Sequence, residues 1–164
     1  MNRGISLWQI VHKTGNYLAN IQRIEKGLTQ PGVSLAFKLL QTIEILPGDL
    51  LANLALTHQK ELPVSISPLA EIPINYERPL LSQEQKSLFG PMLLQARMAG
   101  MISQTAMAKA CGYNLRNINA VEKGKQEPGI MTALSLVLVT GADVREFFNR
   151  LYYWQLEDNN TDGK

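Results

Sequence analysis

An internal repeat constrains this chain more than any other feature of its sequence. When the sequence is shifted by 97 positions, residues 5–51 align with residues 102–148 without a gap. Thirteen of the 47 aligned positions are identical, and both segments contain the runs Glu-Lys-Gly and Pro-Gly at matching places. Clustered identities in a single register rarely arise by chance. The sequence therefore predicts two tandem copies of one structural unit.

The length and the proline distribution indicate where the two units begin and end. A chain of 164 residues can hold one ordinary domain or two small ones. Four prolines between positions 62 and 81 disfavour a helix there, so we expect a semi-rigid extended connector. Alternating apolar residues at 63–67 and 72–76 leave room for a short edge strand in it. The predicted divisions are a first unit, the connector, a second unit and a polar disordered tail, at residues 1–61, 62–81, 82–156 and 157–164.

Apolar spacing and capping residues predict an all-α fold with four to five short helices in each unit. In the second unit, Ser82 with Gln85 has the pattern of a helix start, and Gly90-Pro91 offers a later start for the same helix. The caps and stops that follow predict four further helices, at residues 103–111, 114–122, 128–141 and from 143 onward.

The segment from Gln104 to Val121 has the spacing of a tight helix-turn-helix. Such a turn needs a small residue where the helices cross, a glycine that accepts positive φ, and apolar residues that fix the second helix to the core. These requirements are met, in order, by Ala108, Gly112, Ile118 and Val121.

With these residues in place, residues 88–148 resemble the repressor and Cro-type helix-turn-helix family, also called XRE-type. The resemblance rests on Ser103-Gln104, Ala108, Gly112, Ile118, Val121-Glu122-Lys123-Gly124 and Pro128. The first unit resembles the family less closely, because it keeps the turn glycine Gly15 but has Leu7 and Val11 where the second unit has a glutamine and an alanine. It also has no room for the family's first helix, since only residues 1–4 precede its motif.

The resemblance implies binding to double-stranded DNA, with the helix at residues 114–122 lying in the major groove. The base-contacting face would then consist of Asn114, Leu115, Arg116, Asn117 and Asn119. Arginine can bridge O6 and N7 of guanine, asparagine can pair with adenine, and leucine can contact a thymine methyl group. Phosphate contacts are expected from Ser103, Gln104, Lys123 and Lys125. The corresponding candidates in the first unit are Asn16, Tyr17, Asn20, Gln22, Arg23 and Lys26.

Structural roles stay open for several of these residues. Asn114 could serve only as a helix cap, Leu115 could lie at the edge of the core, and Lys26 could be merely solvated. Glu122 fits a hydrogen-bonding role at the helix end better than a contact with DNA. The two faces also differ in sequence, so two DNA-contacting units would recognise different bases.

The charge distribution agrees with two anion-facing surfaces. The net charge is only +2, but residues 3–27 and residues 103–125 each carry four basic residues and one acid. Each segment therefore contributes +3, and the remainder of the chain sums to −4. On charge alone, ordinary solvated faces explain this pattern equally well.

Two classes of function remain open at this stage. The first is a sequence-specific transcription regulator in the cytoplasm, associated with a prokaryotic nucleoid. The second is a protein-interaction module, antitoxin-like or a dimerisation scaffold, in which one or both units no longer contact DNA. We expect a homodimer, formed through the first unit or through the aromatic residues Tyr152, Tyr153 and Trp154. Alternatively these aromatics pack on the first unit or the connector, and the two units form an internal pseudo-dimer.

An enzyme is not expected, because paired carboxylates, a phosphate-binding glycine loop and metal-ligand spacing are missing from the sequence. The single cysteine, Cys111, precedes the turn glycine and is expected in the core. We expect no cofactor and no metal. We also expect no membrane partner, since the longest uncharged stretch, which ends at Ala142, is too short to span a bilayer.

Overall fold

A computed structural model describes residues 4–57, 74–82, 85 and 87–161. Within these ranges the protein is all-helical, which confirms the predicted fold class. The helices are α1 Leu7–Thr14, α2 Leu18–Glu25, α3 Val33–Thr42, α4 Pro47–Thr57, α5 Phe89–Ala99, α6 Gln104–Cys111, α7 Leu115–Glu122, α8 Ile130–Thr140 and α9 Val144–Thr161.

Local caps explain why α6 and α7 are short and separate. The Ser103 hydroxyl accepts a hydrogen bond from the backbone N–H of Ala106 at 3.0 Å, which begins α6. Gly112 ends it in the left-handed conformation with φ of 61°, a region that residues with a Cβ disfavour. The Asn114 side chain then accepts from the N–H of Arg116 at 2.8 Å and begins α7. These short-range signals are the ones from which the sequence predicted both helices.

The structure has two halves, residues 4–57 and the described residues from 74 to 161. The helices of the first half begin 97 positions before four helices of the second half, and 97 positions is the offset of the sequence repeat. Helices α1 to α4 begin at residues 7, 18, 33 and 47, and α6 to α9 begin at residues 104, 115, 130 and 144, always 97 positions later. Left-handed residues recur with the same offset: Gly15 with Gly112, Gly27 with Gly124, and Glu44 with Gly141. Helix α5 has no counterpart among the described residues of the first half.

The two halves share one hydrophobic core. Helix α4 packs along α9, and α3 contacts α8. Phe37 of α3 packs edge-on against Phe148 and Tyr152 of α9, with ring centroids 6.3 and 5.7 Å apart. Phe37 is 2% exposed, and burial of such a side chain contributes about 1.5–3 kcal/mol. The first half is therefore held by packing against the second.

The structure differs from the sequence prediction at both ends of the second half. Helix α5 begins at Phe89, so Gly90-Pro91 marks the start and Ser82 does not. Ser82 and Gln85 do bond each other, but in a local turn ahead of the helix. At the other end, residues 157–161 are helical, although the sequence placed them in a disordered tail. Arg78 holds this part of α9, binding Glu157 at 2.6 Å and also Asp158.

The predicted connector is described only in part. Residues 74–82 are irregular, and the expected edge strand is not formed at 74–76. The strand candidate at 63–67 lies outside the described residues. Tyr76 fixes the end of the connector to α9, since its ring packs edge-on against Phe147 at 5.6 Å and lies under the Arg150 guanidinium at 5.7 Å.

Candidate nucleic-acid interface

Helix α7 is fixed to the core along one side and exposed along the other. Ile118 and Val121 are completely buried, as the helix-turn-helix spacing predicted. Gly90 of α5 lies directly against the carbonyl oxygen of Val121, so close that a Cβ at position 90 would overlap it. The close approach of α5 to α7 therefore depends on this glycine.

The exposed side of α7 carries the residues that the resemblance assigned to base contacts. Arg116 is exposed, and its guanidinium has no hydrogen-bond or ionic partner among the described residues. Leu115 is 45% exposed, so it does not lie in the core. Asn117 and Asn119 are half-buried. Asn114 is the N-cap, which occupies its side-chain oxygen and leaves its amide N–H groups available.

The N-terminus of α6, which contacts the last residue of α7 through Gln104, presents free donors. The backbone N–H groups of Gln104 and Thr105 have no acceptor in the described part of the chain, whereas Ser103 caps the N–H of Ala106. Free N–H groups at a helix N-terminus favour an anion. The side chain of Gln104 is not available for this role, because its amide donates to Glu122 at 2.7 Å. A phosphate contact by Gln104 would thus use its backbone.

The basic residues around α7 are exposed, and the acid is not. Lys109, Arg116, Lys123 and Lys125 are exposed, with Lys123 at the C-cap of α7. Glu122 is 4% exposed and lies on the opposite, core-facing side. The segment therefore presents cations to solvent, whereas its own acid, Glu122, is buried, which favours attraction of a polyanion.

Sequence reasoning missed a buried network that positions α7. Glu122 accepts from Nε and Nη2 of Arg97 at 2.5 and 3.1 Å, and Arg97 also donates to the carbonyl oxygen of Ile102 at 2.7 Å. With Gln104, these residues join α5, α6 and α7. The sequence indicated a hydrogen-bonding role for Glu122 at the end of its helix, but it did not indicate that Arg97 and Gln104 are the partners.

The corresponding face of the first half is also exposed, with different chemistry. Tyr17 is 83% exposed, and Lys26 is exposed at the end of α2. Asn16 accepts from the side chain of Asn20 at 3.0 Å, and Arg23 donates to Thr29 at 3.1 Å. Gln22 is exposed, and so is Glu25, the counterpart of Glu122. The first half therefore offers aromatic and amide groups rather than an unpaired arginine.

Comparison with protein families gives one result. Residues 93–147 match the family model described as helix-turn-helix. The match runs from the middle of α5 to the beginning of α9 and so contains the whole α6–α7 helix-turn-helix. It does not extend to the first half. Comparison with curated proteins and with solved structures found no match.

The helix-turn-helix segment holds the one cysteine in its core. Cys111 is buried against the carbonyl oxygen of Ser135 at 3.7 Å, and burial raises the pKa of its thiol to about 11.

Within the described ranges, no group of three His, Cys, Asp or Glu side chains could hold a metal ion. No single described helix is long and apolar enough to cross a membrane; α3 and α4 reach that criterion only as a pair bent by 107°.

The aromatic residues expected at a dimer interface have different surroundings. Tyr152 is buried against Phe37 of the first half. Trp154 is partly buried and lies under the Arg150 guanidinium at 6.0 Å. Tyr153 remains 51% exposed. Tyr152 therefore already serves a contact within the chain.

Proposed function

We propose that this protein is a sequence-specific transcription regulator that binds double-stranded DNA through α7. The observation that carries this proposal is the unpaired Arg116 on a helix whose opposite side is fixed by Ile118 and Val121. A rigid helix that projects a free guanidinium has the geometry for a bidentate contact with guanine in the major groove. The helix-turn-helix match at residues 93–147 supports the same function.

Phosphate contacts are proposed near the C-terminal end of α7. The free N–H groups of Gln104 and Thr105 would bind one phosphate, and Lys123 with Lys125, which follow α7, would bind the DNA backbone as well. Ser103 is the N-cap of α6, and its hydroxyl accepts from the N–H of Ala106, so the N–H groups of Gln104 and Thr105 would face the phosphate without a bond to that hydroxyl. The base edges beside the one that Arg116 binds are proposed to contact Leu115, Asn117 and Asn119. Asn114 would bind a base edge through its amide N–H groups.

We further propose that the first half is a second, divergent copy of the same unit. Its four helices and its left-handed residues recur 97 positions later, which is the offset of the sequence identities. Its candidate contacts are Asn16, Tyr17, Asn20, Gln22, Arg23 and Lys26.

The test begins with selection of duplexes from a random pool by the full chain, followed by binding measurements on the selected duplex. Arg116→Ala is expected to weaken binding by about 5- to 150-fold, which corresponds to 1–3 kcal/mol, and to relax base preference at one position. Lys38→Ala is the matched control, because it removes the same charge from an exposed position on α3. Equal affinity and equal base preference in the wild type and Arg116→Ala would refute the proposed role of α7.

A salt titration separates phosphate contacts from base contacts. Lys123→Ala is expected to reduce the slope of log affinity against log salt by about 0.9 and to weaken all duplexes alike. A loss that depends on the base sequence would instead place Lys123 at a base edge.

A protein-interaction module is the second candidate, and the apolar surface of the first half favours it. Trp8 is 70% exposed, and Ile43 and Ile45 are 48% and 40% exposed. In the second half the counterparts of Ile43 and Ile45 are Thr140 and Ala142, both buried. Exposed apolar residues that lie close together, as Ile43 and Ile45 do in the sequence, are typical of protein contacts. No duplex binding at low salt, together with tight association with another protein, would establish this function instead.

A further inference from the structure

Equivalent residues of the two halves contact each other, as they do across a two-fold axis. Gly32 and Gly129, which are 97 positions apart, form an antiparallel backbone bridge. Gly48 lies against the carbonyl oxygen of Arg145, again 97 positions later, so closely that a Cβ at position 48 would overlap it. An axis relating the halves must pass between the members of each such pair.

Contacts between non-equivalent residues are reciprocal, which is the second property of a two-fold interface. A Cβ at Gly32 would lie 2.6 Å from Oε2 of Glu127. A Cβ at Gly129 would lie 3.1 Å from Oε1 of Gln30, and Gln30 is the counterpart of Glu127. In an isologous interface, contact of residue i with j′ requires contact of j with i′. This pair of contacts fulfils that requirement within one chain.

The interface is specific as well as two-fold. Ile130 donates to the carbonyl oxygen of Pro31 at 2.9 Å, and Gly48 donates to the side-chain oxygen of Asn149 at 2.8 Å. The N–H of Ser34 donates to Glu127 at 2.9 Å. Together with the Phe37 contacts in the core, these bonds hold the halves in one relative orientation.

We infer that one chain is a complete pseudo-dimer that binds a single duplex containing two different half-sites. This inference rests on the proposed function and adds the form of the DNA ligand. A two-fold rotation that relates α7 to α2 also relates the exposed faces of these helices. The local two-fold axis of a DNA site relates two half-sites in the same way, about one helical turn apart. Because Arg116 has Ala19 as its counterpart and Asn114 has Tyr17, the half-sites must differ in sequence. The preferred DNA is therefore bipartite and not palindromic.

The experiment uses the duplex selected by the full chain and measures stoichiometry and footprint. Native mass spectrometry is expected to show one chain per duplex. Hydroxyl-radical cleavage should be protected in two patches about one helical turn apart. Replacing the sequence under either patch is expected to weaken binding by about tenfold or more.

Two equivalent lysines provide matched variants that leave the core untouched. Lys26 and Lys123 are both exposed, and each is the C-cap of its helix. Lys26→Ala and Lys123→Ala are each expected to reduce the salt slope by about 0.9. Under a single-unit mode, only Lys123→Ala would reduce it.

The outcomes distinguish this inference from the function on which it rests. One protected patch, an unchanged slope in Lys26→Ala, or two chains on a palindromic duplex would overturn the pseudo-dimer while leaving DNA binding by α7 intact. Absence of any selected duplex would overturn both. Protection of two different patches by one chain, with both lysines contributing, is the result that the two-fold packing predicts.

Discussion

Replacing Arg97 with methionine should destabilise the protein severely, although Arg97 does not contact the proposed ligand. Its side chain is 14% exposed and that of Glu122 is 3% exposed, so their ion pair lies out of bulk water. Without the guanidinium, the one partner of the buried carboxylate among the described residues would be the neutral amide of Gln104. Removing one partner of a buried pair costs about 3–5 kcal/mol. For a chain of this length the loss corresponds to a decrease in Tm of about 6–20 °C.

The assay is urea unfolding, followed by far-ultraviolet circular dichroism, for the wild type, Arg97→Met, Glu122→Gln and the double variant. The double variant should lose less than the sum of the single losses, by about 1–3 kcal/mol, because it no longer contains an unpaired charge. Arg145→Met is the control: its ion pair with Asp49, at 3.2 Å, is exposed on both sides and should contribute less than about 1 kcal/mol. Equal losses in Arg97→Met and Arg145→Met would show that the buried network does not anchor α7.

Three further predictions follow from single positions. Glu44 has φ of 59°, a region that glycine adopts without strain. Glu44→Gly should therefore raise the free energy of urea unfolding by about 1 kcal/mol, whereas Glu44→Ala should not raise it. Tyr76→Phe should leave stability within about 1 kcal/mol of the wild type or raise it, because the buried hydroxyl has no partner among the described residues; a larger loss in thermal unfolding would contradict this. The Cys111 thiol should react with a disulfide reagent at pH 8 only in urea, and native reactivity should rise as the pH approaches its pKa of about 11. Fast reaction of the native protein at pH 8 would place Cys111 outside the core.

The helices of the second half were predictable because their ends depend on neighbours within one turn. Ser103, Gly112 and Asn114 fix the boundaries of α6 and α7 through bonds to backbone groups two to four positions away. The same reasoning was wrong at Ser82, whose turn forms without continuing into a helix. There the packing of Phe89 and Gly90 against the core decides where α5 begins.

The exposed residues of the candidate site were predictable from the sequence, whereas the buried network that positions α7 was not. Helical periodicity places Arg116 opposite Ile118 and Val121, so its exposure follows from the sequence. The partners of Glu122 lie 18 and 25 positions away, on helices whose approach no local pattern specifies. The same limit explains why the bond between the Gln104 side chain and Glu122 was not predicted.

By itself the sequence determined where most of the helices of the second half begin and end, because caps, glycine stops and apolar periodicity act over a few residues. Only the tertiary structure decided how the halves meet, why Tyr152 is buried against Phe37 and why α9 continues to Thr161. These features depend on groups about 75 to 115 positions apart, Arg78 with Glu157 and Phe37 with Tyr152 among them. Contacts of that kind form only when the whole chain has packed, and no local sequence pattern encodes them.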